Sequence, residues 1–183
     1  MNIDRMHSIA EWKALLDNPE SKLHLLFAEI YGGQDLIKKP IALLRQSIEE
    51  FGRSFGQDRS VFVVRSTGRI NLLGMHVDHR GGSVNPIAIK EAFFVVEPRD
   101  DDRVVLRDIH GDKFPEESFV ISECLPRGQK IANWETWCHD ELEKRKNTPG
   151  ITFSNYVRGG VLYFQHLQTD PDGTFKPAFK GMN

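Results

Sequence analysis

Residues 61–98 read VFVVRSTGRINLLGMHVDHRGGSVNPIAIKEAFFVVEP. Two runs rich in β-branched and aromatic residues, VFVVR at 61–65 and AFFVVEP at 92–98, have the composition of strands. Between them RSTGRINLLGMHVDHRGGSVN at 65–85 holds a density of Gly, His, Asp and Arg unlike the rest of the chain. It predicts a long loop that ends at the apolar stretch Pro86–Ile89, and loops of this kind are where function concentrates. Gly68, Gly74, Gly81 and Gly82 permit turns that a side chain would forbid, so the loop can fold tightly enough to bring Arg69, His76 and Asp78 toward one point. Such a trio can grip a polyol.

Outward from this stretch, RVVLRDI at 103–109 and SFVI at 118–121 also read as short strands, with a hairpin turning at Pro98–Asp102. Helices precede the first strand. Ser8 and Glu11 make a capping box before Ile9, Trp12, Leu15 and Leu16, and Asn18-Pro19 stops that run. Leu23, Leu26, Phe27, Ile30 and Tyr31 paint a second apolar stripe with Gly32-Gly33 as its exit. After Lys38-Lys39-Pro40, a third helix places Ile41, Leu44, Ile48, Phe51 and Phe55 on one face with Glu49 and Glu50 opposite, and Gly56 closes it. Two more helices are predicted, over Asn133–Lys146 and over Ser154–Leu167. In the latter, Ser154 stands as N-cap and Tyr156, Val157, Val161, Phe164 and Leu167 align. The class is α+β, with helices on one face of a mixed or largely antiparallel sheet.

At 183 residues the chain is one ordinary domain or slightly more, enough to bury on the order of 70% of its unfolded surface. A formal net charge of -2 supplies no basic excess for nucleic acid or an anionic membrane, which leaves small polar ligands as the default partners. Cys124 and Cys138 have neither metal-knuckle spacing nor the density of a disulfide framework, and read as free thiols. The N-terminus carries acids without an apolar core, and no run of 18 apolar residues occurs, so the expectation is a soluble, cytoplasmic protein.

The central stretch resembles the first signature of galactokinases in the GHMP kinase superfamily, approximately GRxNLIGEHxDYxxG. Gly68, Arg69, Asn71, Leu72, Gly74, His76, Asp78 and Gly82 fall on it without a gap. Downstream, PRDDDRV at 98–104 and SNYVRGGVLYF at 154–164 resemble further family segments, so the likeness runs from Pro40 to Asn183. It implies residues 40–183 as the first part of a GHMP-kinase N-terminal domain, with residues 1–39 a helical extension.

The resemblance further implies an ATP-dependent sugar 1-kinase, which transfers the γ-phosphoryl group to the anomeric hydroxyl of a galactose-type sugar with magnesium. Such transfer depends on positioning and charge stabilisation. Arg69 matches the family arginine beside the reacting hydroxyl, where a fixed cation stabilises developing charge and keeps a catalytic aspartate ionised. His76 and Asp78 match sugar-binding positions, and Met75, Val77 and His79 accompany them. A carboxylate accepting from two hydroxyls makes charge-assisted bonds of roughly 1.5–3 kcal/mol each. Phe153 falls where the family has a tryptophan near adenine, though core packing explains it equally well.

Two departures bear on the substrate. The family's Glu before the His is Met75 here, and its Tyr after the Asp is His79. Met75 cannot accept from a terminal hydroxymethyl group. The pattern G-x-H-x-D-H-x-G-G resembles that of plant galacturonokinases, and losing the carboxylate removes repulsion against a uronate and leaves room for a 6-deoxy sugar. The family's second signature, a Gly-Leu-Ser-Ser-Ser loop around the ATP phosphates, and the aspartate beyond it are absent, as is any Walker-type loop. The expectation is therefore an incomplete domain that by itself neither binds ATP and Mg2+ tightly nor turns over, and whose exposed face favours self-association.

Two rivals stand beside this reading. His76, Asp78 and His79 resemble part of the metallo-hydrolase pattern H-x-H-x-D-H, but Gly74 occupies the place of its first histidine. Alternatively, the chain resembles galactokinase relatives that sense sugar without useful turnover.

Overall fold

The computed structural model describes residues 5–74, 76–126, 130–144, 154–170 and 180–183. The chain forms two compact units, Met1–Glu97 and Pro98–Asn183. The class is the expected one, mixed α and β with antiparallel sheets.

The first unit opens with a two-residue strand β1 (His7–Ser8), absent from the sequence expectation, which pairs antiparallel with the start of β2 (Ser60–Leu73). Helix α1 (Ile9–Asp17) then starts on the capping box: the Glu11 amide donates to Ser8 Oγ at 3.2 Å and the Ser8 amide to Glu11 Oε2 at 2.8 Å. Helix α2 (Lys22–Tyr31) is N-capped by Ser21 and leaves through Gly32, whose φ of 83° is open to glycine. Helix α3 (Lys38–Phe55) buries Ile41, Leu44, Ile48 and Phe51. One departure is Ile30, which is exposed; Leu23, Phe27, Ala28 and Tyr31 carry the packing of α2 instead.

These three helices cover one face of a long hairpin formed by β2 and β3 (Asn85–Val96). Val61, Val63, Phe93 and Val95 alternate onto that face by the two-residue period of a strand, and Phe93 stacks on Phe27 with ring centres 5.9 Å apart. The Trp12 indole N–H donates to the Val61 carbonyl at 3.2 Å, which fastens α1 to β2. Phe62, Val64 and Phe94 alternate to the other face and are exposed. Further along, none of residues 66–73 or 85–92 is buried, so this part of the hairpin is an arm extending past its own helices.

The expected long loop is corrected by this pairing. Residues 66–73 continue β2, with Arg69 opposite Ala88 and Ile70 opposite Ile87, and the connection is only residues 74–84. Thr67, Ile70, Leu72 and Leu73 suit a strand, and the cross-strand ladder outweighs the local cost of Gly68. The expected hairpin at Pro98–Asp102 is also corrected, since β3 pairs with β2 while β4 (Arg103–Leu106) pairs with β5 (Glu117–Val120) in a separate sheet. Beside β4 lies Met182, bridged to both Pro98 and Val104; its amide donates to the Arg103 carbonyl at 3.0 Å and its carbonyl accepts from the Val105 amide at 2.8 Å.

The core of the second unit joins Val104, Phe119 and Ile121 to Val161 and Leu162 of α6 (Ser154–Leu167). A short helix α4 (Ile121–Cys124) follows β5, and the Ser122 amide donates to the Asp102 carboxylate at 3.2 Å. Helix α5 (Trp134–Lys144) contributes Trp134, stacked on His166 with centres 5.1 Å apart. Burial, aided by the Lys130 charge, pushes the His166 pKa down. Ser154 stands at the start of the described part of this helix, and its hydroxyl donates to the Glu117 carboxylate. The buried side of α6 is Ser154, Val161, Leu162 and Gln165, while Tyr156, Phe164 and Leu167 are exposed. Two apolar stripes run along this helix, and the one beginning at Ser154 meets β5. Cys124 and Cys138 are free thiols, as expected.

The turn before β4 makes stability depend on pH. The Arg99 guanidinium donates twice to the Asp101 carboxylate, at 2.7 Å each, and with the Arg103 amide holds its pKa down to about 2. A carboxylate depressed from an unfolded value of about 3.9 contributes stability above pH 4 that is lost as pH falls through about 2. Asp101→Asn is therefore expected to lower the melting temperature at pH 7, and the gap to the unsubstituted protein should close between pH 5 and pH 2 in thermal unfolding. A gap that stays constant with pH would contradict this account.

Candidate functional site

The arm ends in residues 74–84, whose path is set by two close approaches. Gly74 has φ 82°, and a Cβ there would lie 2.3 Å from the Ser83 carbonyl oxygen and 3.0 Å from the Val84 Cα. A Cβ on Gly82 would lie 2.9 Å from the Val77 Cβ. Only glycine lets the two limbs of the loop approach this closely. Inside the loop the Val77 amide donates to the Gly74 carbonyl at 3.2 Å, and the Val77 carbonyl accepts from the amides of Arg80 (3.0 Å) and Gly82 (2.9 Å). The segment Asp78–Arg80 is a single 3-10 turn.

This folding holds the backbone of residues 76–80 at the end of the arm. His76 takes the left-handed conformation with φ 68°, uncommon for a residue with a side chain. His76, Val77 and His79 are exposed. Met75 lies outside the described residues, as does the side chain of Asp78, and Phe153 also lies outside them. Arg69 is exposed on β2 and not part of the loop; it lies four residue steps of strand, roughly 13 Å of rise, before Leu73. Among the described residues no group of three or more His, Cys, Asp or Glu is placed to hold a metal ion.

At the base of the arm stands Arg65, which sequence reasoning passed over. Its Nε donates to the Tyr31 hydroxyl at 3.0 Å, its guanidinium lies 4.9 Å from the centre of the Tyr31 ring, and Glu91 Oε2 is 3.8 Å away. Burial raises the Tyr31 pKa, so the phenol stays neutral and can accept. This cluster ties α2 to the hairpin where the arm leaves the core. The opposed charges at 65 and 91 were visible in the sequence, but their meeting required the β2–β3 register.

Residues 49–96, the end of α3 and the whole hairpin with its loop, match the family model described as the galactokinase galactose-binding signature. Over this stretch the chain is similar to galactokinases. Over 134 residues it is 29% identical to the galactokinase of Lactococcus lactis subsp. lactis (strain IL1403), covering 73% of this chain and 28% of that protein. Over 91 residues it is 31% identical to the galactokinase of Candida parapsilosis, covering 49% and 18%. A crystal structure of Lactococcus lactis galactokinase complexed with galactose aligns with a TM-score of 0.48 at 25% identity, covering 73% of this chain and 28% of that one. The chain thus spans 28% or less of these galactokinases, and the residues that the family model matches are the end of α3, the hairpin and its loop. Among the described residues no helix is long and apolar enough to cross a membrane.

Proposed function

We propose that this chain is the sugar-binding portion of an ATP-dependent, galactokinase-type sugar 1-kinase, and that the loop 74–84 is its sugar site. The observation that carries the reading is the match of residues 49–96 to the galactokinase galactose-binding signature, on a loop drawn tight by Gly74 and Gly82. On this reading residues 40–183 are the first part of the kinase's N-terminal domain and residues 1–39 an extension of it. Asp78 accepts from two sugar hydroxyls, His76 adds a polar contact, and Met75, Val77 and His79 border the ring. Arg69 supports the anomeric oxygen as it acquires charge during transfer.

On this reading these residues do not by themselves bind ATP and magnesium tightly. Nothing in the chain has the Gly-Leu-Ser-Ser-Ser phosphate loop, and the described residues hold no cluster suited to a metal. In a working kinase those groups would be held by other residues, and the part played by these 183 is to bind and orient the sugar. A cytoplasmic enzyme of carbohydrate metabolism is the setting that fits.

Galactose itself is not the substrate this loop favours best. Met75 removes the carboxylate that would repel a uronate, and a repulsion of about 1.4 kcal/mol is a tenfold change in affinity. Calorimetry with galactose, galacturonate and fucose is expected to show galacturonate bound about tenfold more tightly than galactose. Equal affinities would remove Met75 as the selectivity determinant, and no binding of any of the three would sink the sugar-site reading. The same preparation is expected to release no ADP from ATP, and turnover by these 183 residues alone would refute their restriction to sugar binding.

A further inference from the structure

Asn71 is the last residue of β2 paired in regular register, opposite Pro86; the ladder then slips past Leu72 and resumes at Leu73 opposite Asn85. Its side-chain carbonyl oxygen is withdrawn from solvent, yet among the described residues no donor meets it. The strand partner at that rung cannot supply one from its backbone, because Pro86 has no N–H. Three residues on, the limbs of the loop meet at Gly74, against the backbone of Ser83 and Val84.

A buried acceptor is nearly always paired, since desolvating it without a bond opposes folding. One that persists unpaired beside a binding loop is an acceptor available to a state of the loop other than this one. We propose that Asn71 is a positioning residue for the sugar loop, its Oδ1 accepting a backbone N–H of residues 76–84 when sugar is bound. The inference rests on the sugar-site reading above. It requires no contact between Asn71 and the sugar: the residue acts through the loop, at the point where β2 becomes loop.

Two variants test it. Asn71→Leu keeps much of the volume and removes the acceptor; Asn71→Asp keeps the oxygen. The readouts are calorimetry with the sugar the unsubstituted protein binds most tightly, thermal unfolding without sugar, and amide hydrogen exchange of residues 76–84 with and without it. Asn71→Leu is expected to weaken sugar binding at least tenfold and to abolish sugar-induced protection of the loop amides, while leaving the sugar-free melting temperature unchanged or higher. Asn71→Asp is expected to bind within about threefold of the unsubstituted protein. Full affinity in Asn71→Leu overturns the proposal while leaving the sugar site standing. A lowered sugar-free melting temperature together with equal losses of affinity in both variants overturns it in favour of a structural role. Failure of the unsubstituted protein to bind any sugar removes the sugar-site reading and this inference with it.

Discussion

Gly74→Ala is expected to abolish most sugar affinity while leaving the core of the first unit folded. The added Cβ would lie 2.3 Å from the Ser83 carbonyl oxygen and 3.0 Å from the Val84 Cα, and both obstacles are backbone. A flexible side chain could swing away; these atoms move only if the loop limbs part. The φ of 82° adds a second cost of roughly 1–2 kcal/mol for an L-residue held in the left-handed region. Together these amount to about 2–4 kcal/mol at the neck of the loop. That cost is avoided most readily by opening the loop, because no residue from 66 to 73 or from 85 to 92 is buried and the helical core lies behind them. The melting temperature should fall by only a few degrees, whereas calorimetry should record more than a tenfold loss of affinity. Binding within twofold of the unsubstituted protein would mean that the limbs do not need to meet at Gly74.

The second large effect is expected at Asp78, which the proposed function makes the sugar-binding aspartate. Its backbone stands in the 3-10 turn Asp78–Arg80, where the Val77 carbonyl accepts from the Arg80 and Gly82 amides. If Asp78 accepts from two sugar hydroxyls as proposed, Asp78→Ala removes two charge-assisted hydrogen bonds of roughly 1.5–3 kcal/mol each, and the dissociation constant for the preferred sugar should rise by about a hundredfold or more. Asp78→Asn, which can still accept one such bond without the charge, should fall between. Thermal unfolding should barely move for either. A loss smaller than tenfold in Asp78→Ala would remove this residue from the sugar site.

Legibility of the sequence varied with the range of the interactions involved. The capping box at Ser8 and Glu11, the exit of α2 at Gly32, and the buried stripe Ile41, Leu44, Ile48 and Phe51 were all readable. Each rests on neighbours within a turn or two of helix. Strand limits were harder. The polar and glycine-containing stretch 66–73 reads as loop when taken alone, and becomes strand because β3 supplies a partner for nearly every residue. In α6 two apolar stripes competed, and only packing against β5 decided that Ser154, Val161 and Leu162 face inward while Tyr156 and Phe164 do not.

For the site, the order of residues from Gly68 to Gly82 was enough by itself to mark the likeness to the galactokinase signature and to direct attention to Arg69, His76 and Asp78. Motif spacing is a local property, and it survives in one dimension. What only tertiary structure decided is where those residues stand: Arg69 on a strand and not in the loop, His76 in a left-handed turn, Asn71 with a buried acceptor beside a proline, and Gly74 pressed against Ser83. Each of these depends on which strand lies opposite which, a contact between residues distant in sequence that no local pattern encodes.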